Sequence, residues 1–303
     1  NASDINNLNG KFESALEAMA NLESGAYANI DENRQVGHYW LRQPESSPSE
    51  QIKVQIQKTI DEIELFGLEV INGSITAPNG SPFTHVVWIG IGGSSLGPKL
   101  IVESLQQLNT GLKFYFIDNV DPEGISLILS QIEDNIENTL FITVSKSGGT
   151  LEPKIAMNQA KNLFANRSNQ WSDHAIAITM KGSLLDSLAR SERWLKSFDL
   201  PDWVGGRTSI TSAVGLLSAS LIGINTRDFL DGAAQMDQAT REMSLRKNPA
   251  SLLAAAWYVA GEGNGKKDMV LLPYKDRLEL FSRYLQQLVM ESLGKKLDRS
   301  GVI

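Results

Sequence analysis

The apolar residues of the first 80 positions recur at helical spacing. They form the series Phe12, Leu16 and Met19 and the series Ile52, Ile56, Ile60 and Ile63. Pro44 and Pro48 mark a loop between the two series, and the segment 79–82 (NGSP) breaks the pattern strongly. We therefore predict a helical N-terminal arm over residues 1–80.

From Phe83 the pattern changes to short apolar runs that are separated by helix-compatible segments. The runs are His85–Ile91, Lys113–Ile117, Leu140–Val144 and Ala175–Thr179. Continuous apolar strands that alternate with helices are typical of a parallel sheet covered on both faces. We therefore predict an α/β fold whose ligands bind in the loops at the carboxyl ends of the strands.

A helix-rich stretch follows, and after it a second α/β pattern begins. The predicted helices cover Ser212–Ile222, Thr226–Met243 and Pro249–Ala260. Met269–Leu272 has the pattern of another buried strand, and Lys275–Leu293 that of a long amphipathic helix. This order indicates the opening strand and helix of a second α/β unit.

Composition and charge narrow the class of protein. Hydrophobic residues make up 42% of the chain and charged residues 21%, which argues against disorder. The net charge is −7 and no Lys/Arg-rich run is present, so we expect no nucleic-acid partner. The sequence has no cysteine, which excludes a disulfide-dense secreted fold and a thiolate metal site. It also lacks a long apolar stretch and a signal-peptide pattern, so we expect a cytoplasmic protein without a membrane partner.

The first strand runs into a glycine-rich turn, GIGGSSLGP (90–98). Glycines let the backbone approach a ligand closely, and the amides at a helix N-terminus attract anions. Gly93 and Ser94 are therefore candidates for contact with a sugar phosphate. A tight turn between strand and helix, or a dinucleotide loop, remains open. The glycine spacing does not match the dinucleotide fingerprint.

The third strand runs into SKSGGTLEP (145–153), where hydroxyls and one cation cluster. A phosphate monoester needs several donors and partial neutralisation of its charge. Ser145, Ser147 and Thr150 offer hydroxyls, and Lys146 offers charge. A solvated Ser/Gly turn is the alternative. Because two hydroxyl-rich turns follow strands of the same sheet, we predict an anion site in this loop.

Two further segments carry candidate charges. Arg207 follows two glycines in DWVGGRTS (202–209), so it is placed either to enter a cleft or to pair with an acid as a structural arginine. Gln287 and Glu291 share one face of the predicted helix at its apolar stripe. Desolvation there would raise the pKa of Glu291 toward that of a general base. From the local pattern alone, a surface glutamate at a helix end, the usual position of this residue type, is favoured.

Together these segments resemble the glucose-6-phosphate isomerase family, in its bacterial form. The matching segments are VWIGIGGSSLGP, SKSGGTLEP, DWVGGRTS and LPYKDRLELFSRYLQQLVMESLGK, with VGHYWLR in the arm. The resemblance implies three-layer α/β/α sandwiches with parallel sheets, of the sugar-isomerase (SIS) type. A first SIS domain would cover residues 81–222. Linking helices and the incomplete start of a second SIS domain would cover residues 223–303.

The resemblance also implies a role for each matched residue. Glu291 would be the catalytic base, and Arg207 would face the sugar near C1 and C2. The implied substrate-binding residues are Gly93, Ser94, Ser145, Lys146, Ser147, Thr150 and Gln287. The implied reaction belongs to glycolysis and gluconeogenesis. It interconverts glucose 6-phosphate and fructose 6-phosphate through a cis-enediolate, with no metal and no organic cofactor.

One feature of that family has no counterpart in the sequence. Such enzymes use a histidine and a lysine farther toward the C-terminus for ring opening, with the histidine supplied across a dimer interface. The histidines here are His38, His85 and His174, and none lies in the corresponding motif. We therefore expect a truncated piece of a homodimeric protein, and we expect the piece itself to lack substantial isomerase activity.

Two other functions are weighed against the isomerase. A non-catalytic phosphosugar-binding SIS module would carry a similar phosphate loop. The MESLGK helix and the GGR segment favour the enzyme, because a sensor needs neither a base nor a clamp for an enediolate. A dinucleotide-dependent oxidoreductase is disfavoured by the glycine spacing.

Overall fold

A parallel sheet forms the centre of the α/β part of the chain. The computed structural model describes residues 7–30, 32–107, 111–165, 170–297 and 301. The strands are β1 (His85–Ile89), β2 (Lys113–Ile117), β3 (Thr139–Val144), β4 (Ala175–Thr179) and β5 (Lys196–Asp199). Within the described residues they form one five-stranded sheet in the order β2-β1-β3-β4-β5, with every pair parallel. The predicted α/β fold class is confirmed.

Helices connect and cover the strands. Those in the first part of the chain are α1 (Asn9–Glu23), α2 (Glu50–Ile71), α3 (Gly93–Leu105), α4 (Pro122–Gln131) and α5 (Leu151–Asn162). They are followed by α6 (Leu184–Ser191), α7 (Ala213–Leu221), α8 (Thr226–Ala239), α9 (Pro249–Ala260) and α10 (Glu279–Leu293). Short 3-10 turns cover Gly206–Thr211 and Asp276–Leu278, among other positions.

The burial of each strand explains its sequence. Every residue of β1, β3 and β4 is buried, because these strands lie inside the sheet and have helices on both faces. The edge strands β2 and β5 are only partly buried. Strand β5 has the sequence KSFD with Phe198 as its buried apolar residue, and the apolar pattern did not predict this strand.

The two faces of the sheet carry different sets of helices. Helices α4, α5 and α6 share a core cluster with Val87 and Ile89 of β1 and with Phe141 of β3. Phe141 packs there against Trp171, with ring centroids 5.1 Å apart. Helix α3 packs instead against α7. On this other side Phe66 of α2 meets Phe198 of β5, with ring centroids 5.6 Å apart. Together the layers form an α/β/α sandwich.

Contacts group the chain into two compact units, residues 1–56 with 227–272 and residues 57–226 with 273–303. These units differ from the three consecutive segments predicted from the sequence, because contacts join parts of the chain that are distant in sequence. The first boundary falls within helix α2. The assignment of SIS domains to 81–222 and 223–303 stays a prediction.

The unit made of residues 1–56 and 227–272 holds an ionic cluster. Asp237 is buried and accepts a hydrogen bond of 2.7 Å from Nε of Arg241. Its other carboxylate oxygen lies 3.6 Å from Nη2 of Arg42. Arg42 also contacts Nδ1 of His38 at 3.3 Å. Burial, and then the charge of Arg42, lower the pKa of His38 to about 4, so this imidazole is neutral near pH 7.

The prediction of a buried strand at Met269–Leu272 is wrong. The structure has no strand at these positions, and Val270 and Leu272 are 72% and 67% exposed. The reason is physical: the described residues offer this segment no strand to pair with, and an isolated strand cannot satisfy its backbone groups. The predicted helix after it is present as the 3-10 turn Asp276–Leu278 followed by α10.

Helix α7 depends on a glycine. A Cβ placed on Gly215 would overlap the carbonyl group of Ile210, whereas a Cβ on Gly97 of α3 would stay 3.5 Å from the Ile210 side chain. We expect Gly215→Ala to lower the free energy of unfolding by about 1–3 kcal/mol, because the overpacked backbone must move. The control Gly97→Ala should be neutral or stabilising by up to about 1 kcal/mol. Urea titrations of both variants test this. Equal midpoints for the two variants would contradict the proposed overlap.

Candidate active site

The sheet order creates a crevice between β1 and β3. Strand β1 pairs with β2 on one side and with β3 on the other, and the order of strands reverses between β1 and β3. Ile89 is in register with Thr143, so the two strands end side by side. Ligands of open α/β sheets bind at the carboxyl ends of strands where the order reverses. The loops 90–92 and 145–150 therefore flank the expected ligand position.

The loop after β3 is folded by its own hydroxyl groups. Ser145 Oγ accepts a hydrogen bond of 3.1 Å from the amide of Gly148, and Ser147 Oγ accepts one of 3.1 Å from Gly149. Thr150 lies at the N-terminus of α5, and its hydroxyl does not cap that helix. Gly148 has a φ of 69°, and a Cβ on it would overlap the backbone of Leu185. A glycine is therefore required here by the packing of the loop.

A cavity of about 240 Å³ opens beside this loop. Its lining combines hydroxyl groups with apolar side chains from α5 and α6: Thr143, Ser145, Gly148, Thr150, Pro153, Lys154, Met157, Leu184, Leu185 and Leu188. Within the described residues, the buried hydroxyl of Thr143 has no hydrogen-bond partner. A buried hydroxyl that faces no protein partner is a place for a water molecule or a ligand oxygen. No signal in the sequence marked Thr143, because its position within an apolar strand looked structural.

Lys146 does not line this cavity. Its ammonium group donates to the carbonyl oxygen of Asp202 and, at 2.9 Å, to that of Val204. The lysine therefore connects the loop after β3 to the segment that precedes Arg207. Its predicted contact with a phosphate stays a prediction.

The loop after β1 is shaped by packing against a second loop. A Cβ on Gly93 would overlap the carbonyl group of Gly206, so the two backbones touch. The carbonyl of Ser94 accepts a 2.9 Å hydrogen bond from Trp88 Nε1. Close approach of protein backbone thus accounts for the glycine at position 93. Within the described residues, the buried hydroxyl of Ser95 is without a hydrogen-bond partner. The sequence had singled out Ser94 and not Ser95.

Arg207 and Glu291 meet across this arrangement. Arg207 Nε donates to Glu291 Oε2 at 2.9 Å, and the amide of Gln287 donates to Glu291 Oε1 at 3.2 Å. A Cβ on Gly92 would lie 2.9 Å from Nε2 of Gln287, so the side chain of Gln287 borders the loop after β1. The fold therefore brings three of the predicted site residues together at the loop after β1. Helix α10 packs against α3, which places Glu291 there.

Glu291 is an exposed glutamate near a helix end, as the local pattern favoured, and desolvation does not decide the direction of its pKa shift. The side chain is 53% exposed. The hydrogen bond from Arg207, followed by the one from Gln287, lowers the pKa of Glu291 below its ordinary value of 4.5. Helix α10 packs against α3 with Leu280 buried, and the exposed carboxylate of Glu291 pairs with Arg207. Of the two positions considered for Arg207, the structure thus shows pairing with an acid, and that acid is Glu291.

Two residues of α10 that were not predicted as site residues also hold Arg207. Arg207 Nη1 donates to Ser292 Oγ at 3.2 Å, and the Tyr284 hydroxyl donates to the Arg207 carbonyl at 3.3 Å. Burial raises the pKa of Tyr284, which keeps its hydroxyl protonated as a donor. In the sequence Tyr284 was part of the apolar stripe. The sequence could have indicated Ser292 as a site residue only through its position next to Glu291.

The described residues contain no cluster of histidine and acidic side chains that could bind a metal ion. Among the helices that the structure describes, none combines the length and the apolar character of a membrane span.

Comparison with known proteins places these features in a family. A family model described as phosphoglucose isomerase matches residues 7–303. The chain is 60% identical over 301 residues to the glucose-6-phosphate isomerase of Parasynechococcus marenigrum (strain WH8102), covering 99% of this chain and 55% of that protein. It is 59% identical over 301 residues to the one of Synechococcus sp. (strain CC9605), covering 99% of this chain and 57% of that protein. The chain thus spans about half the length of the curated relatives it matches.

Solved structures agree with the sequence comparison. The crystal structure of a glucose-6-phosphate isomerase from Chlamydia trachomatis D/UW-3/Cx superposes with a TM-score of 0.86 at 28% identity, over 98% of this chain and 58% of that one. A hypothetical protein from Thermus thermophilus gives a TM-score of 0.76 at 25% identity, over 99% of this chain and 64% of that one.

The ion pair sets the titration of Glu291. We expect Arg207→Gln to raise the pKa of Glu291, because the main cause of its depression is removed. Carbon NMR of the glutamate carboxyl groups measures it. Lys295→Gln is the control, since Lys295 lowers the pKa through its charge alone, as the least of the causes, and a smaller rise is expected. Because the pKa of Glu291 is depressed in the folded state, the ion pair stabilises the folded protein at pH values above the ordinary pKa of a glutamate. This contribution to stability is lost as the pH falls through the depressed pKa. An unchanged midpoint in Arg207→Gln would contradict this account.

Proposed function

The chain belongs to the phosphoglucose isomerase family, and from this premise we propose that the full-length protein interconverts glucose 6-phosphate and fructose 6-phosphate. The proposed reaction is a proton transfer through a cis-enediolate. The observation that carries the proposal is the meeting of Arg207, Glu291 and Gln287 at the loop after β1. A base beside a fixed cation is what a proton transfer next to a carbonyl group requires.

Glu291 is proposed as the base. It takes the proton from C2 of the open-chain aldose and returns it to C1, while the hydroxyl proton of O2 passes to O1, so no net proton is consumed. Its carboxylate has oxygens that accept from Arg207 and Gln287, and the side chain remains half exposed toward an incoming substrate. A low pKa is unfavourable for a base at neutral pH. Efficient transfer therefore needs the hydrogen bond from Arg207 to weaken once substrate is bound.

The substrate itself supplies the competing acceptor. Negative charge develops on O1 and O2 as the enediolate forms, and a guanidinium can donate two parallel hydrogen bonds to such oxygens. As Arg207 turns toward these oxygens, Glu291 loses its strongest donor and its pKa rises. The same movement thus stabilises the intermediate and strengthens the base. Ser292 and the Tyr284 hydroxyl keep contact with Arg207 independently of Glu291.

The loop after β3 is proposed as the phosphate site. Ser145 and Thr150 line the cavity there, Ser147 lies between them in the same loop, and Gly93 and Ser94 begin α3 directly after the loop that follows β1. Binding energy from a phosphate that does not react holds C1 and C2 at a fixed distance from the base. In this proposal the loop after β3 binds the phosphate, and the separate pair of Arg207 and Glu291 carries out the proton transfer.

The other parts of the proposal rest on family membership and composition. We propose a cytoplasmic homodimer that needs no cofactor and binds no nucleic acid. The net charge of −7, without a Lys/Arg-rich run, supports the last point. The second candidate function is a non-catalytic phosphosugar-binding module. The pairing of Glu291 with Arg207 favours the enzyme, because binding alone needs no such pair.

Replacement of Glu291 tests the proposed base. In the full-length protein, Glu291→Gln keeps the shape and the contact with Arg207 but cannot take the proton. We expect kcat to fall by ~10²–10⁴-fold while KM changes by less than about threefold. Fructose 6-phosphate is supplied and glucose 6-phosphate is measured. Glu279→Gln, at the other end of α10, is the control and should keep normal turnover. Near-normal turnover of Glu291→Gln would exclude Glu291 as the base.

Binding of phosphate tests the loop after β3. We expect Thr150→Val and Ser145→Ala each to weaken binding of 6-phosphogluconate by ~10–150-fold in calorimetry, since a hydrogen bond to a charged group contributes about 1.5–3 kcal/mol. The control is Ser126→Ala on α4, whose hydroxyl donates to the carbonyl of Pro122. Unchanged affinity in both loop variants would show that the phosphate binds at another place in the protein. Binding without turnover by the unmodified full-length protein would instead support the non-catalytic module.

A further inference from the structure

Lys146 occupies an unexpected position for a residue of an anion loop. It stands between Ser145 and Ser147, yet its ammonium group donates to the carbonyl oxygens of Asp202 and Val204. These acceptors lie in the segment that follows β5, on the far side of β4 from β3. The side chain of Lys146 therefore connects the loop after β3 to the segment after β5 through two carbonyl contacts of its ammonium group.

The segment that Lys146 holds is the one that carries Arg207. Val204 is followed by Gly205 and Gly206, and glycines have more backbone freedom than any other residue. Both glycines are exposed. The carbonyl contact at Val204 therefore fixes the chain directly before these two glycines. On the other side of the glycines, the Tyr284 hydroxyl holds the carbonyl of Arg207.

Further contacts leave little freedom elsewhere in this segment. Ser209 Oγ contacts the carbonyl oxygens of Gly206 at 2.8 Å and Gly93 at 3.2 Å. The amide of Val204 donates to Pro201 at 3.1 Å. Lys146 thus connects the loop after β3 to the backbone that precedes Arg207. A shift of that loop would therefore be transmitted to Arg207.

We propose that Lys146 is a positioning residue, whose ammonium ties the anion loop to the backbone before Arg207 and so sets where the guanidinium enters the site. The inference rests on the proposed function. It differs from the role expected from the sequence, in which Lys146 neutralises the phosphate directly. The two roles predict opposite kinetic changes, because a phosphate ligand acts on binding and a positioning residue acts on turnover.

The decisive variant is Lys146→Met in the full-length protein, which keeps the length of the side chain and removes its donors. We expect kcat to fall by ~10–100-fold, because a displacement of about 1 Å at a reacting centre has that effect. The inhibition constant of inorganic phosphate should change by less than about threefold. Weakening of phosphate by ~10-fold or more with kcat retained, as loss of a charge-assisted hydrogen bond predicts, would overturn the proposal. So would normal values of both constants.

A matched control removes the same charge at the same edge of the sheet. Lys181 pairs with Asp199 at 3.5 Å and is 69% exposed. Lys181→Met should leave kcat and the phosphate constant within about twofold, because an exposed ion pair contributes little. Equal effects of the two lysine variants on kcat would assign the result to net charge and contradict the proposed tie.

A double-mutant cycle shows whether Lys146 acts through Arg207. In an Arg207→Ala background no guanidinium remains to be placed, so Lys146→Met should lower kcat no further. Additive losses would overturn the proposal even if the single variant lowers kcat and leaves the phosphate constant unchanged. If Lys146→Met does not fold, Lys146→Gln is measured in the same cycle.

Amide hydrogen exchange tests the tie without relying on turnover. In residues 1–303, Lys146→Met should speed exchange across residues 204–208 and leave β1 and β3 unchanged. Unchanged exchange at 204–208 would contradict the tie. If the full-length protein shows no isomerase activity, the proposed function fails, and the exchange experiment still decides the role of Lys146.

Discussion

The neighbouring positions of β1 and β3 at the centre of the sheet are the constraint on which the candidate site depends. The chain leaves β1 through α3 on one face, and it leaves β3 through α5 on the other. Two helices that diverge from adjacent strands leave a crevice at their N-termini, where backbone amides point outward. The glycine-rich loop and the hydroxyl-rich loop lie at this crevice because of strand order alone.

Close contact between backbones also constrains the segment that carries Arg207. Gly93 and Gly206 touch, and a side chain on Gly93 would force the two loops apart. Gly67 is similarly required by Ser220, which packs α2 against α7. Gly93 looks like a ligand-binding feature in the sequence, yet the space that its side chain would take is occupied by the backbone of Gly206. The glycine-rich loop is therefore a packing element as well as one wall of the crevice.

Electrostatics sets the arrangement of the charged groups in the site. Arg207 contacts Glu291 and Ser292 at the same time, so one guanidinium is held by consecutive residues of α10. The pairing lowers the pKa of the carboxylate and satisfies a cation that would otherwise face solvent. An anionic intermediate competes for the same donors. The pair is therefore compatible with a site that reorganises when substrate oxygens arrive.

The sequence by itself determined the class of fold and the segments that carry chemistry. Continuous apolar runs are sufficient to predict β1, β3 and β4, because strands buried on both faces need apolar residues at every position. The clusters of glycine, hydroxyl groups and charge likewise marked the segments around Ser145 and Arg207 and the helix that carries Glu291. Edge strand β5 escaped prediction, since only one of its four residues is buried and the others are polar. The segment 269–272 was predicted as a strand because the apolar pattern does not reveal whether a pairing partner exists.

Only the tertiary structure decided which of these residues meet and what their contacts do to them. The order of strands, the contact of Gly93 with Gly206 and the turn of Lys146 toward Val204 all join residues far apart in sequence. The lowered pKa of Glu291 has the same origin, since its first cause is the hydrogen bond from Arg207. A periodic pattern reports how apolar the surroundings of a residue are, but it contains no information on whether a cation from a distant loop lies 2.9 Å from its carboxylate.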